Sequence, residues 1–282
     1  MWFIFFLAPY VIGLLVFWIG PVIASIFISF TKWELVGSPV WVGFNNYKQL
    51  FSDEIFIKSL INTAYYTILS VPLSMICSLL LAVAMNQKLK GIVVFRTAFF
   101  MPYISSMVAV ALLWSWIYNP QYGILNYFLE LIGIPGQNWL GDPKWAMPAL
   151  VFMSVWKGLG YNMMIWLAAL QGIPEDLYEA ARIDGANKWQ QFKNITVPLL
   201  SPTTFMLLIL SIINSFKVFE QSYIMTKGGP AHATMTMVLY IYSNAFVWLK
   251  MGYASAMAYI LAIIILVLTV IQLRLQKKWV HY

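Results

Sequence analysis

The amino-acid sequence predicts an all-α integral membrane protein with six spanning helices, and three observations carry that expectation. Hydrophobic residues make up 61% of the 282-residue chain and charged residues only 10%, whereas a soluble domain carries about 25% charged residues. Apolar runs recur along the whole length, each near the roughly 20 residues that a helix needs to cross a bilayer. One long polar stretch, residues 173–198, interrupts them with the punctuation of a surface helix. No fixed-period repeat, low-complexity tract or linker is present, so a single domain over 1–282 is expected.

Taken in order, residues 2–30 form the first expected span. It opens without a basic leader or a small-residue cleavage site and is too long for a signal peptide, so it reads as a retained helix. Pro9, Gly13 and Gly20-Pro21 punctuate it, with a kink expected near Pro21. Residues 32–58 are a polar connection bearing Trp33, Trp41 and Tyr47, aromatics suited to a water interface. The second span, 60–85, offers Asn62, Thr63, Ser70, Ser74 and Ser78 to neighbouring helices. Its Cys77 is the single cysteine, which excludes an internal disulfide.

Residues 86–96 carry Lys88, Lys90 and Arg96 and no acid, which places this loop in the cytoplasm. The third span, 98–117, begins with Phe100-Met101-Pro102-Tyr103, a proline kink beside a polar ring. An exterior loop (118–144), a fourth span (145–170), a fifth (198–219), an exterior loop (221–250) and a sixth span (251–273) follow, the last ending at Arg274, Lys277 and Lys278. By parity the 173–198 stretch shares the side of 86–96, and both termini lie inside. The net charge of +7 suits anionic lipid beside cytoplasmic loops and lacks the clustered basic stripe of a nucleic-acid binder.

Within the polar stretch, Pro174 suits a first helical position, Glu175 and Asp176 face the positive end of the dipole, Arg182 lies near the negative end, and Gly185 can take the left-handed conformation that ends the helix. Leu177, Ala180, Ala181 and Asp184 share one side by three-and-four spacing, a small-residue stripe fit for a groove. Glu179-Ala180-Ala181, Asp184-Gly185-Ala186, Phe192, Ile195 and Pro198 resemble at every fixed position the EAA motif of ABC importer permeases. That resemblance implies a cytoplasmic coupling loop over 173–198 that docks into a cleft on an ATP-hydrolysing subunit. Glu179 and Asp184 would supply polar contacts there, Ala180 and Ala181 close packing, and Gly185 the turn.

Three further stretches resemble permeases of the carbohydrate-uptake type: Val42-Gly43-Phe44-Asn45-Asn46-Tyr47, Gln121-Tyr122-Gly123-Ile124-Leu125-Asn126, and Thr226-Lys227-Gly228-Gly229-Pro230 followed by Thr234, Tyr240, Tyr242 and Ala245-Phe246. Gly228-Gly229-Pro230 reads physically as a tight turn whose glycines permit positive φ; the resemblance implies that its exterior loop faces a binding protein. The resemblance implies a second permease subunit in a heterodimer, a dimer of ATP-binding subunits, an extracytoplasmic solute-binding protein and a carbohydrate substrate, in the cytoplasmic membrane of a bacterium or archaeon. Related permeases usually carry a short basic tail before the first span, so the native start is expected further upstream.

No Gly-x-x-x-x-Gly-Lys loop, metal-ligand spacing around His232 or His281, or Gly-x-Ser-x-Gly elbow is present, and no acid lies deep in a span. An enzyme is not indicated, nor a cofactor or metal; ATP hydrolysis is expected on the partner. The solute path is expected from polar residues of the fourth and fifth spans. Lys157 sits near mid-helix, at a cost of about 3 kcal/mol if it faced lipid, so it faces either a cavity or a partner such as Glu220; in a cavity it would favour an acidic sugar. Ser154, Lys157 and Tyr161 share a side, as do Ser211, Asn214, Ser215 and Val218. By resemblance to maltose-type permeases, the contact positions fall on Ser154, Lys157, Gly158, Tyr161, Ser211, Ser215 and Val218, where lysine and valine depart from the maltose type. The alternatives are a permease for a non-sugar solute, such as glycerol phosphate or a lipid-linked molecule, and a sensing role. A secondary transporter would need buried acids and inverted halves, and neither is visible.

Overall fold

A computed structural model describes residues 2–35, 37–87 and 90–279, with side chains from residue 6 to residue 276. Lys88, His281 and the side chains of Lys277 and Lys278, weighed above, lie outside the described residues.

Helices dominate: α1 (Phe6–Ser29), α2 (Glu54–Met85), α3 (Ile92–Ile104), α4 (Met107–Ile117), α5 (Pro143–Gln171), α6 (Glu175–Ile183), α7 (Ser201–Phe216), α8 (Glu220–Met225), α9 (Met237–Val247) and α10 (Met251–Trp279). Among the described residues, four units are long and apolar enough to cross a bilayer: α1, α2, α7 with α8, and α10. A fifth is the α3–α4 pair, bent by 99°, so the third span is no straight helix with a mild proline kink. The sharp corner falls at Ser105-Ser106, past Pro102. α5 occupies the expected fourth span and is long enough at 29 residues, but Lys157 and Asn162 make it less apolar than those five. It lies at the centre, packed by α2, α3, α4, α7 and α8, and a helix enclosed by protein need not present an apolar surface all round.

Lipid offers no hydrophobic force between helices, so close approach and hydrogen bonds must hold them. At Gly160 a Cβ would lie 2.6 Å from the Phe100 Cα, so only glycine lets α5 rest directly on the α3 backbone. Four of the five polar residues expected to bridge from α2 do so. Asn62 donates to the His232 and Met235 carbonyls (2.7 and 2.9 Å), Thr63 accepts from the Met237 N–H (2.9 Å), Ser74 accepts from Asn162 (3.1 Å) and Ser78 from Trp166 (3.2 Å).

The irregularity expected at Pro21 comes one turn earlier, as a π turn over Leu15–Ile19. Pro21 has no N–H to donate and its ring crowds the carbonyl four residues back, and the wider turn makes room for it. At the end of α1, the Asn46 amide donates to the Ser29 and Thr31 carbonyls (2.8 and 2.9 Å) and the Tyr47 hydroxyl meets Ser29 Oγ at 2.8 Å. The carbohydrate-type stretch after the first span thus carries the residues that cap that span. The fifth span also differs from expectation: α7 ends at Phe216 and the chain turns helical again at Glu220 rather than entering an exterior loop. Gln221 and Ser222 are buried there, and the Thr236 hydroxyl donates to the Val218 carbonyl (2.9 Å), one of the backbone groups that the break sets free.

Candidate functional site

Side chains of α2, α3, α5, α7 and α8, with Met107 of α4 and Val238 of α9, line an open cavity of about 690 Å³, a size typical of small-molecule sites, which run roughly 300–1,000 Å³. All eight residues expected on the solute path line it: Ser154, Lys157, Gly158, Tyr161, Ser211, Asn214, Ser215 and Val218. At Gly158 a Cβ would meet nothing within 4 Å, so this glycine keeps space open. Tyr161 stacks on Tyr103 with ring centres 4.6 Å apart. Ser154 is held in a buried network: its hydroxyl donates to the Leu150 carbonyl (2.7 Å) and accepts from Gln221 Nε2 (3.1 Å), which also donates to the Tyr66 hydroxyl (3.1 Å). One wall is therefore fixed polar structure, while Asn214, Lys217 and Glu220 project exposed groups from the other. Ring faces, hydroxyls and amides in one cavity can hold a solute with C–H faces and hydroxyl edges.

Spacing within the fourth and fifth spans missed Tyr66, Ser70, Tyr103 and Gln221, which join this lining from α2, α3 and α8. The available signal was the α2 series of hydroxyls at three-and-four spacing, on which Tyr66 and Ser70 fall.

Lys157 reaches the cavity wall but serves the fold. Its Nζ donates to the carbonyls of Pro102 (3.3 Å), Tyr103 (3.0 Å) and Ser105 (2.9 Å), and lies 5.7 Å from the Tyr103 ring centre. Those carbonyls are freed where α3 ends at the corner, and a cation at a helix C-terminus is favourable. In this arrangement the amine is held by those backbone carbonyls rather than by direct pairing with Glu220. Arg96 does the same for α2, donating from Nη2 (2.7 Å) and Nε (3.2 Å) to the Met85 carbonyl.

The polar stretch lies apart from the cavity as α6 and the turns after it. Pro174 sits one position earlier than expected, at the N-cap with ψ 132°, and Glu175 opens the helix; proline's fixed φ suits either position, and the extended ψ excludes it from the helix proper. Gly185 takes φ +78°, the Ala186 N–H reaches the Ala181 carbonyl (2.8 Å) and the Gly185 N–H the Arg182 carbonyl (3.1 Å), the two bonds of a Schellman cap. No side chain of α6 is fully buried. Leu177 is 43% exposed, Ala180 and Asp184 are exposed and Ala181 is half-buried, so the small-residue stripe is left largely open. Glu179 and Arg182 pair on the surface at 3.8 Å. Tyr178 ties the helix back through its hydroxyl to Thr196 Oγ1 (2.9 Å). Sequence reasoning missed Ile183, 86% exposed, and Trp189, 69% exposed and stacked on Phe192; both stand beside the motif as large apolar residues in a polar run.

The Gly228-Gly229-Pro230 loop is braced from within. Of its two glycines Gly228 has positive φ (+84°) and Gly229 does not, so the expectation of two such glycines holds for one. A Cβ at Gly228 would meet Met235 Cε at 2.7 Å. Thr226 and Thr234, the two threonines of the signature, touch through their hydroxyls at 2.6 Å, and Thr234 Oγ1 donates to the Gly229 carbonyl (2.7 Å). Lys58 of α2 donates to the Ala231 carbonyl (2.7 Å). Tyr240 and Tyr253 both donate to Asp53 Oδ2 (2.6 Å each), while Asp53 Oδ1 caps α2 by accepting from the Ile55 and Phe56 N–H groups (2.9 and 3.1 Å). Burial alone would raise the Asp53 pKa, but hydrogen bonds from Tyr240, Tyr253 and the two backbone groups outweigh it and hold the carboxyl below its ordinary value. In the short helix Ile124–Leu131 between α4 and α5, buried Asn126 accepts from the Gln137 N–H (3.1 Å) and Trp139 Nε1 (2.7 Å) and donates to the Pro120 and Gln137 carbonyls (3.2 and 2.9 Å).

Comparison with known proteins agrees with this geometry. The family described as binding-protein-dependent transport system inner membrane component matches residues 56–281. The probable ABC transporter permease protein YesP of Bacillus subtilis is 39% identical over 98% of this chain and 91% of its own length. The arabinooligosaccharides transport system permease protein AraP of the same organism is 36% identical over 97% of this chain and 88% of its own. Among solved structures, a chain of a bacterial alginate ABC transporter in complex with an alginate pentasaccharide-bound periplasmic protein superposes with a TM-score of 0.87 at 26% identity, covering 98% of this chain and 94% of that one. This chain is a multi-pass membrane protein that belongs to the family of binding-protein-dependent transport system inner membrane components, the permease subunits of ABC transporters.

Proposed function

We propose that the chain is the permease subunit of an importer for oligosaccharides. The observation that carries this reading is the cavity of about 690 Å³ lined by aromatic, hydroxyl and amide groups of five helices, on a chain that elsewhere leaves the EAA helix uncovered. The AraP relative and the alginate structures favour a saccharide as cargo. A solute-binding protein outside the cytoplasmic membrane of a bacterium or archaeon delivers the solute to the Gly228-Gly229-Pro230 side. A second permease completes the path, and two ATP-binding subunits engage the 173–198 loop from the cytoplasm, where both termini also lie. Closure of those subunits on ATP moves α6 through Glu179, Ala180, Ala181, Asp184 and Gly185, the two permeases rock, and access to the cavity alternates between the two sides. The single domain supplies the path, and its partner supplies the hydrolysis.

Two measurements test this. Gly185→Asp puts a side chain on a left-handed residue, and in the reconstituted transporter it should uncouple solute uptake from ATP hydrolysis; normal uptake with normal stimulation of hydrolysis defeats the assignment. Ile183→Cys should react with an impermeant thiol reagent only from the cytoplasmic face, and reaction from the outer face reverses the topology.

A further inference from the structure

Three charged side chains line the cavity: Lys157, Lys217 and Glu220. Lys157 is accounted for, since its amine donates to the Pro102, Tyr103 and Ser105 carbonyls and it lies within Coulomb range of Glu220, whose charge opposes its own. Lys217 is different. It sits inside the Ser201–Met225 span, where α7 breaks. Its side chain is exposed, and among the described residues no hydrogen bond or ion pair engages its amine. A cation left unpaired within a span is costly and marks a pathway by default. Once Lys157 and Glu220 cancel, the cavity keeps one uncompensated positive charge. Asn214, three residues earlier on the same side of α7, adds an exposed amide to the same lining.

We infer that Lys217 selects the solute by charge and that the cargo is a saccharide bearing a carboxylate, an oligomer of a uronic acid. This rests on the carbohydrate reading above. The ammonium receives the carboxylate in a charge-assisted hydrogen bond and the Asn214 amide is placed to donate a second. A single carboxylate carries one negative charge and matches the one unbalanced cation, whereas a phosphate monoester carries about −1.5 to −2 at neutral pH and would leave the cavity negative. Lys157, with its donors committed to backbone, holds the corner of the third span and does not read the solute.

The test uses the complete transporter with its solute-binding protein in proteoliposomes. Hydrolysates of pectate and alginate are supplied before and after chemical reduction of their carboxyl groups, with glycerol 3-phosphate as a separate probe, and uptake is normalised to assembled complex. Uptake should come from the unreduced hydrolysates, Lys217→Gln should lower it by about tenfold to a hundredfold, the range for loss of a charge-assisted bond, and Lys217→Arg should retain most of it. Uptake of the reduced sugars equal to that of the acidic ones overturns the inference and leaves the carbohydrate reading standing. Equal loss of both in Lys217→Gln also overturns it, because a cation that merely steadies the C-terminal end of α7 would act without regard to cargo. Uptake of glycerol 3-phosphate alone, or of nothing in either hydrolysate, overturns the carbohydrate reading and the inference with it.

Discussion

Gly185 and Gly228 hold nearly the same backbone conformation, φ +78° and +84°, in the two sequence signatures of this chain. Their surroundings are opposite. Around Gly185 a Cβ would find nothing within 4 Å, whereas at Gly228 it would strike Met235 at 2.7 Å. The first signature builds a turn that leaves a surface bare for something else to cover. The second builds a loop that is finished within the chain: its two threonines meet through their hydroxyls, and Thr234, Lys58 and Asn62 donate to the loop carbonyls of Gly229, Ala231 and His232. A motif can therefore mark a contact or a brace, and only its surroundings tell which. On that distinction, substitutions on the braced side should cost more stability than matched ones on the bare side, where the main effect should fall on function.

The largest loss is expected at Asn126, whose side chain makes four hydrogen bonds while only 3% exposed. Asn126→Leu strips partners from the Gln137 N–H and Trp139 Nε1 at once and should cost about 3 kcal/mol, since each buried unsatisfied group costs about 1–3. Thermal unfolding of the purified chain in nanodiscs reads this, and an unchanged midpoint would mean that water replaces the brace. Next come the two glycines as a matched pair. Gly185→Ala should cost about 1 kcal/mol from backbone strain alone, and Gly228→Ala about 2 kcal/mol or more because overpacking against Met235 adds to it. Equal costs would erase the contrast drawn above.

A smaller effect belongs to Asp53. Its carboxyl is held below its ordinary pKa, so the stability it contributes is present above the unfolded value near pH 3.9 and is lost as pH falls through the lower folded value. Tyr240→Phe removes one of the bonds to the carboxylate, should cost about 1 kcal/mol at neutral pH, and should move the onset of acid unfolding to higher pH. An acid-unfolding curve that coincides with the unmodified chain below pH 4 would show that the tyrosine does not set the carboxyl's affinity for protons.

How much of this was visible in the sequence follows from how local each cause is. The C-terminal end of α2, the bounds of α5, the Gly185 cap and the cavity-facing residues of α5 and α7 rest on apolar length, capping residues and three-and-four spacing, all contained within one segment, whereas α2 begins at Glu54, six residues before the expected start of the span. The corner at Ser105-Ser106 and the break after Phe216 rest on partners more than fifteen residues away, Lys157 for the first and Thr236 for the second. Lys157 was conspicuous as a charge in an apolar run, but its role depends on carbonyls contributed by another helix. Gln221 fell in a segment read as an exterior loop, and only its bonds to Tyr66 and Ser154 draw it inward. Strand-free local rules see a helix; they do not see what a broken one leaves for its neighbours to satisfy.

The smallest stability change is expected on the bare side, where it decides most about function. Leu177 stands 43% exposed on α6, which buries no side chain, so Leu177→Ala should shift the unfolding midpoint by no more than about 0.5 kcal/mol, the ordinary range for a surface site. A leucine that served only to complete this chain's own packing could not be removed so cheaply, because truncation inside a core costs about 2–5 kcal/mol. If instead the residue fills a pocket on the ATP-binding subunit, its loss should weaken assembly with that subunit by about tenfold, the scale of an anchor residue in an interface. Binding of the purified ATP-binding subunit to nanodiscs carrying the wild-type or Leu177→Ala permease separates these cases. Unchanged affinity at unchanged stability would leave the exposed leucine on α6 without a physical reason, and with it the view that this side of the molecule is shaped by what docks there.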